Sequence, residues 1–365
     1  MEYLIVSVIF IFFFWFSLVK SDERSKAYNS NLINPQTSTL LKAFCCILIV
    51  CHHYALRTDG GIIRRIVAMG GGTFALVVFL LLSSYGIAES EKRKTTELKQ
   101  YLFKRCGKLV KPYFLVTVVA IIAYWLIGAY ASPDELLQNR VSLAFVEIGQ
   151  HRLTVPDGVS YLVGLKTFDG AMWFVGVILY SYLAFGLSKT VCLKQFGGGK
   201  IEDAKCSLTL LYSTLLVLFA VVTYNMGFPA HYYRNLWALV LGLWLSLYGK
   251  SIVRCSSKCR VLAAMALNVL VYIWLRITQS GDFIYLFFAN VALASLWLSN
   301  RLFFSSSLRK GNFITMLSGI SYMVYLIHIK VLTIEWWYIG YKTLLLPLAV
   351  IVLLSYLFSN ILRKL

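Results

Sequence analysis

Charge is scarce in this chain, and acid is scarcest. Only 14% of the 365 residues are charged, and 16 Asp and Glu stand against 35 Lys and Arg. So little charge excludes a soluble globular enzyme, and 59% hydrophobic residues fit a polytopic membrane protein. No CxxC pair occurs. Cys255 and Cys259 are four apart with no Cys/His cluster beside them, so no metal site is expected. The Gly-rich segment FGGGK (196–200) lacks the GK[ST] ending and the strand–loop–helix setting of a P-loop, and reads as a flexible loop. No internal repeat is evident. The first apolar run, YLIVSVIFIFFFWFSLV (3–19), lacks a basic n-region and a following A-x-A-like site. It reads as a retained helix rather than a cleaved signal.

What is present is membrane-length apolar sequence. A helix needs about 20 apolar residues to cross a hydrocarbon core of about 30 Å. Eleven runs approach this: 3–19, 38–56, 72–88, 112–130, 171–187, 207–225, 233–249, 261–277, 283–299, 313–332 and 343–361. The net charge of +19 invites a nucleic-acid reading, but its distribution argues against one. Of the 35 Lys and Arg, 25 fall in 20–42, 92–111, 189–205, 250–260, 301–310 and 363–364, on one side of the alternating gaps. The positive-inside rule puts that side in the cytoplasm, the N-terminus outside and the C-terminus inside. No cysteine falls in an outside loop, so no disulfide framework is implied.

Residues 20–37 read as a polar cytoplasmic linker. Residues 89–111, ESEKRKTTELKQYLFKRCGKLVK, read as a helix lying along the inner surface. Residues 131–170 form the longest outside loop, and long ordered loops are often functional.

The segment LLKAFCCILIVCHHYALR (40–57) buries ionisable groups in a spanning run, which costs several kcal/mol each, about 2.5–3.5 for Lys on insertion scales. Lys42 and His53 are eleven apart, three helical turns plus about 20°. They share one face with Cys46 and Ile49, about 16 Å apart along the axis. Lys42 is expected near the cytoplasmic edge and His53 at or just beyond mid-membrane. His52 points about a quarter-turn away and reads as structural. The bland alternative is that Lys42 snorkels and His53 is a hydrogen-bonded structural residue.

The spacing of Lys42 and His53 resembles the basic-x10-His signature of the membrane acyltransferase 3 family. Other segments are similar to that family in the same order. VVFLLLSSYG (77–86) resembles its FF-x-LSG-[FY] segment, with Ser84 in place of the usual Gly. YLFKRCGKLVKPYF (101–114) resembles its basic segment ending in Pro-Tyr, MWFVGVILYSYL (172–183) its Trp-Phe helix, and ISYMVYLIHIKVL (320–332) its C-terminal SYxxYLxH helix. The resemblance implies an all-α polytopic transmembrane bundle of about 11 helices, ten core helices plus one extra N-terminal helix. The implied organisation is 1–37 for that helix and its linker and 38–365 for the acyltransferase domain.

It further implies an integral membrane O-acyltransferase in the cell membrane. Acetyl would pass from cytoplasmic acetyl-CoA, as co-substrate, to a hydroxyl of a surface or secreted polysaccharide or lipid-linked sugar. Membrane lipids are partners; nucleic acid and metal are not expected. Coenzyme A is a multiply charged anion, and Lys42, Arg105, Lys108 and Lys111 are the cations for its phosphates. For the 92–111 run, a solvated face against anionic lipid is the alternative. His53 is the expected catalytic residue, either accepting a hydroxyl proton or taking the acyl group as a nucleophile. Ser321, Tyr325 and His328 share a face and either orient the acceptor or form a polar seam between helices; Ser83 has the same two readings. Asp169, Trp173 and Glu335 complete the supporting set, Glu335 beside an interfacial belt of Trp336, Trp337 and Tyr338. Competing classes are a non-enzymatic glycan transporter or flippase, with Lys42 and His53 on a pathway, and a lipid-linked glycosyltransferase or polymerase.

Overall fold

The computed structural model describes residues 33, 35–58, 61, 64, 67–128, 148, 154–162, 172–195, 199–255, 313–339 and 343–364. These form ten α-helices: α1 Pro35–Ala55, α2 Gly72–Arg93, α3 Leu98–Gly128, α4 Val155–Leu162, α5 Trp173–Gln195, α6 Lys205–Asn225, α7 Trp237–Cys255, α8 Phe313–Gly319, α9 Ser321–Ile339 and α10 Leu345–Lys364. No strand occurs among the described residues. Lipid offers no partner for a backbone N–H or C=O, so a spanning segment must satisfy its own, and a helix does so. Hydroxyls follow the same logic. Thr190, Thr209, Ser213, Thr214 and Thr223 each donate to the carbonyl four residues earlier, which removes the cost of carrying them in apolar helices.

Helices α1, α2, α3 (over Leu98–Leu126), α5, α6 and α10 are long and apolar enough to cross a membrane, and α8 with α9 makes a seventh if counted as one broken span. The protein is a multi-pass membrane protein with an all-α fold. The expected runs at 3–19, 261–277 and 283–299 lie outside the described residues, and with them the proposed extra N-terminal helix. The other eight each coincide with a described helix or helix pair.

The described chain forms two compact units. The first holds α1, α2, the C-terminal half of α5, α6, α7 and α8. Here α2 packs against α1 and α7, and α1 against α8. The α2–α7 contact is a close backbone approach. A Cβ on Gly242 of α7 would meet the backbone of Leu81 and lie 3.1 Å from the Ser84 Cβ. The glycine missing at Ser84 is therefore supplied by the facing helix, and small residues on both sides let the two backbones meet.

Residues 89–111 correct the expectation of one surface helix. The first five complete α2, residues 94–97 are non-helical, and 98–111 begin a 31-residue helix that continues through Pro112. The break has a tertiary cause. Glu91 is 2% exposed and accepts from the Thr96 backbone N–H at 3.0 Å and its hydroxyl at 2.9 Å. Lys189 of α5, 1% exposed, pairs with Glu91 at 2.9 Å and donates to the Thr96 carbonyl at 2.5 Å. The Thr96 backbone groups that would extend a helix are taken by these partners. Beside this pair, Glu89 accepts from Lys92 and from Ser246 of α7, both at 2.8 Å, and Lys92 also donates to the Ser246 carbonyl.

The second unit holds α3, α4, the N-terminal half of α5, α9 and α10, with α3 contacting α4, α9 and α10. Tyr113 of α3 donates to the Tyr161 carbonyl of α4 at 2.7 Å, and Tyr322 of α9 to the Leu109 carbonyl at 3.1 Å. Helix α4 lies within the long loop and opens on a reciprocal cap. The Thr154 hydroxyl donates to Asp157 at 2.6 Å and accepts from the Asp157 N–H at 3.3 Å. Asp157 thus has a structural use.

Candidate functional site

Helix α1 carries Lys42 and His53. It starts at Pro35, a residue suited to a first helical position, and ends at Ala55, where the Leu56 N–H bonds to the His52 carbonyl and the Arg57 N–H to that of Tyr54. Along the shared face, Lys42 and His53 are half-buried, while Cys46 and Ile49 between them are 1% and 5% exposed. The stripe therefore runs through the protein interior and has a polar group at each end. Lys42 has no ion-pair partner among the described residues.

His53 lies in the last turn of α1, about 12 Å past the helix midpoint. The helix begins before the apolar run and stops just after the histidines. The Arg57 guanidinium donates to the His53 carbonyl at 3.1 Å, a cation on the carbonyl end of a helix.

His52 has a separate role. Its Nδ1 lies 3.1 Å from the Val67 carbonyl oxygen and donates to it, since a carbonyl only accepts. Val67 opens a π-helical turn, Val67–Gly71, that leads into α2. A Cβ on Gly72 would sit 2.5 Å from His52 Nε2 and 2.9 Å from Cγ. His52 is thus wedged between the π turn and the start of α2, and its ring meets that of His53 edge-on at 5.0 Å. Sequence reasoning anticipated a structural His52; its partner Gly72, 20 residues away, carries no signal beyond the GGG run at 70–72.

In the second unit, the Trp-Phe and SYxxYLxH segments meet. The Phe174 ring lies 4.9 Å from that of Tyr325, and Tyr325 lies 5.7 Å from His328. His328 is fully buried. Its Nδ1 donates within α9 to the Tyr325 carbonyl at 2.7 Å, which leaves Nε2 as the acceptor of the neutral ring. Trp173 is buried and stacks edge-on against Phe174 at 6.1 Å. Phe174 is the aromatic that reaches Tyr325; the adjacent pair in the sequence pointed at the place but not at which ring. Ser321 is half-buried on the first turn of α9.

The remaining expected residues divide by exposure. Arg105 is half-buried on α3, whereas Lys108 and Lys111 are exposed. Ser83 is half-buried on α2. Asp169 and the Glu335 side chain lie outside the described residues. His231, outside the spans, stacks on Tyr232 at 5.3 Å, and burial pushes its pKa down. Among the described residues no group of three His, Cys, Asp or Glu side chains is placed to hold a metal ion.

Residues 38–364 match the family model described as an acyltransferase domain, acyltransferase 3. No curated protein and no solved structure matches the chain.

Proposed function

The chain belongs to the acyltransferase 3 family and is a membrane acyltransferase, and from that premise we propose that it transfers acetyl from acetyl-CoA to a hydroxyl of a polysaccharide. The donor arrives on the Lys/Arg-rich side, taken as cytoplasmic, and the acceptor on the opposite side. One observation carries this reading: the interior stripe of α1 that runs from Lys42 to His53.

A Lys at one end of that stripe suits the anionic donor; the family resemblance, not a contact, adds Arg105 of α3, whose fork phosphates favour. At the other end, His53 accepts the proton of the acceptor hydroxyl as its oxygen attacks the thioester carbonyl. The carbon–sulfur bond then breaks, and the proton passes to the departing thiolate. The family resemblance, not a contact, assigns Ser321, Tyr325 and His328 of α9 to orienting the acceptor, and Ser83 is a further polar group on α2. Asp169, Trp173 and Glu335 belong to the same supporting role.

The test uses the purified full chain. Acetyl-CoA binding is measured by calorimetry in wild type and Lys42→Ala, with a free hydroxyl-rich glycan added for turnover. The expected result is weaker donor binding by about ten-fold in Lys42→Ala, from loss of a charged contact worth about 1.4 kcal/mol. Wild-type affinity in that variant would remove Lys42 from the donor site. In proteoliposomes, glycan translocation without acetate incorporation would favour a transporter instead.

A further inference from the structure

The basic half of α3 has two sides with different partners. Between Leu98 and Gly128 the helix carries Lys99, Lys104, Arg105, Lys108 and Lys111 and no acidic residue. Residues 104, 108 and 111 follow the i, i+4, i+7 rule and fall within about 60° of one another. All three lysines are exposed. The same face continues into the apolar half of the helix as Val119, Ile122, Trp125 and Leu126, which are 40–53% exposed. Large apolar side chains exposed over these two turns of a helix long enough to span a membrane meet lipid tails. Tyr113, Val116 and Ala120 lie on the other side and are buried, and Tyr322 bonds to Leu109 from there.

From this we propose that Lys104, Lys108 and Lys111 form a docking surface for anionic phospholipid headgroups, placed where the lipid-facing stripe of α3 ends. Three features support it. The three ammonium groups span about 10 Å of helix with no ion-pair or hydrogen-bond partner among the described residues. Lysine stems lie along apolar surface while their heads reach the interface. Pro112 has no N–H to give the Lys108 carbonyl, an omission that is cheap at headgroup depth, where water reaches the backbone. Lipid phosphates there would meet about one lysine each, an attraction that falls with salt. Arg105, turned toward the half-buried side, is left for other ligands. The inference does not depend on the acyl-transfer reading.

The experiment uses the full chain in detergent with mixed phosphatidylglycerol and phosphatidylcholine, and counts retained lipids by native mass spectrometry. Wild type is expected to retain phosphatidylglycerol over phosphatidylcholine by about ten-fold, less at high salt. The triple variant Lys104→Gln, Lys108→Gln, Lys111→Gln is expected to lose that preference, and the triple Arg variant to keep it. A preference that survives the Gln variant would overturn the proposal, and a fall in coenzyme A binding in that same variant would show that the lysines face the donor instead.

Discussion

Lys42 and His53 on α1 show how far a single helix can be read from its letters. Their shared face follows from 100° per residue, and the burial of Cys46 and Ile49 between them agrees with it. The place of the histidines along α1 was not legible, because it depends on where the helix starts and stops. His53→Ala is expected to lower acetyl transfer by about 10²–10⁴-fold, the usual contribution of a general base. Intact mass after acetyl-CoA alone separates the two histidine chemistries: an unmodified protein fits proton transfer, and acetyl on His53 would mean an acyl relay. His52 acts through packing. Gly72→Ala places a methyl within 2.5 Å of His52 Nε2, on a ring already tied to Val67. The expected cost is about 1–3 kcal/mol from overpacking, read as a fall in thermal midpoint. The cost should shrink in a His52→Ala background, where the clashing atoms are gone; an equal cost in both backgrounds would rule out the wedge.

Among the described residues, the elements were legible where an apolar run had membrane length, and illegible where tertiary partners set an end. Nothing in KTTE (94–97) marks a break by composition. It breaks because Glu91 and Lys189 take up Thr96. Likewise Ser84 is visible as a departure from a small-residue motif, but Gly242, which restores the close approach, is 158 residues away. The ion pair gives an element-scale prediction. Lys189→Ala leaves Glu91 buried without its charge partner and is expected to cost about 3–5 kcal/mol. Replacing both by Met should cost less than either single change, because no lone charge remains. Thermal unfolding in detergent checks this, and additive losses would contradict a coupled pair.

For the whole molecule, composition and Lys/Arg distribution foretold a helical membrane protein, and five short segments in order foretold its family. Orientation rests on the charge bias alone. In a background freed of native cysteines, Ser142→Cys in the long loop should react with an impermeant maleimide added to intact cells. Lys200→Cys, in the basic loop before α6, should be protected; the opposite pattern would invert the topology.

The proposed chemistry turns on His53 as the base that takes the acceptor's proton while acetyl passes from a donor on the basic side to a glycan on the other side. Sided proteoliposomes test it most directly, with labelled acetyl-CoA on one side, glycan on the other, and wild-type or His53→Ala protein in the bilayer. Labelled glycan is expected only with wild-type protein and only when the donor meets the basic side. Equal labelling by the two proteins, or labelling from either side, would contradict the account.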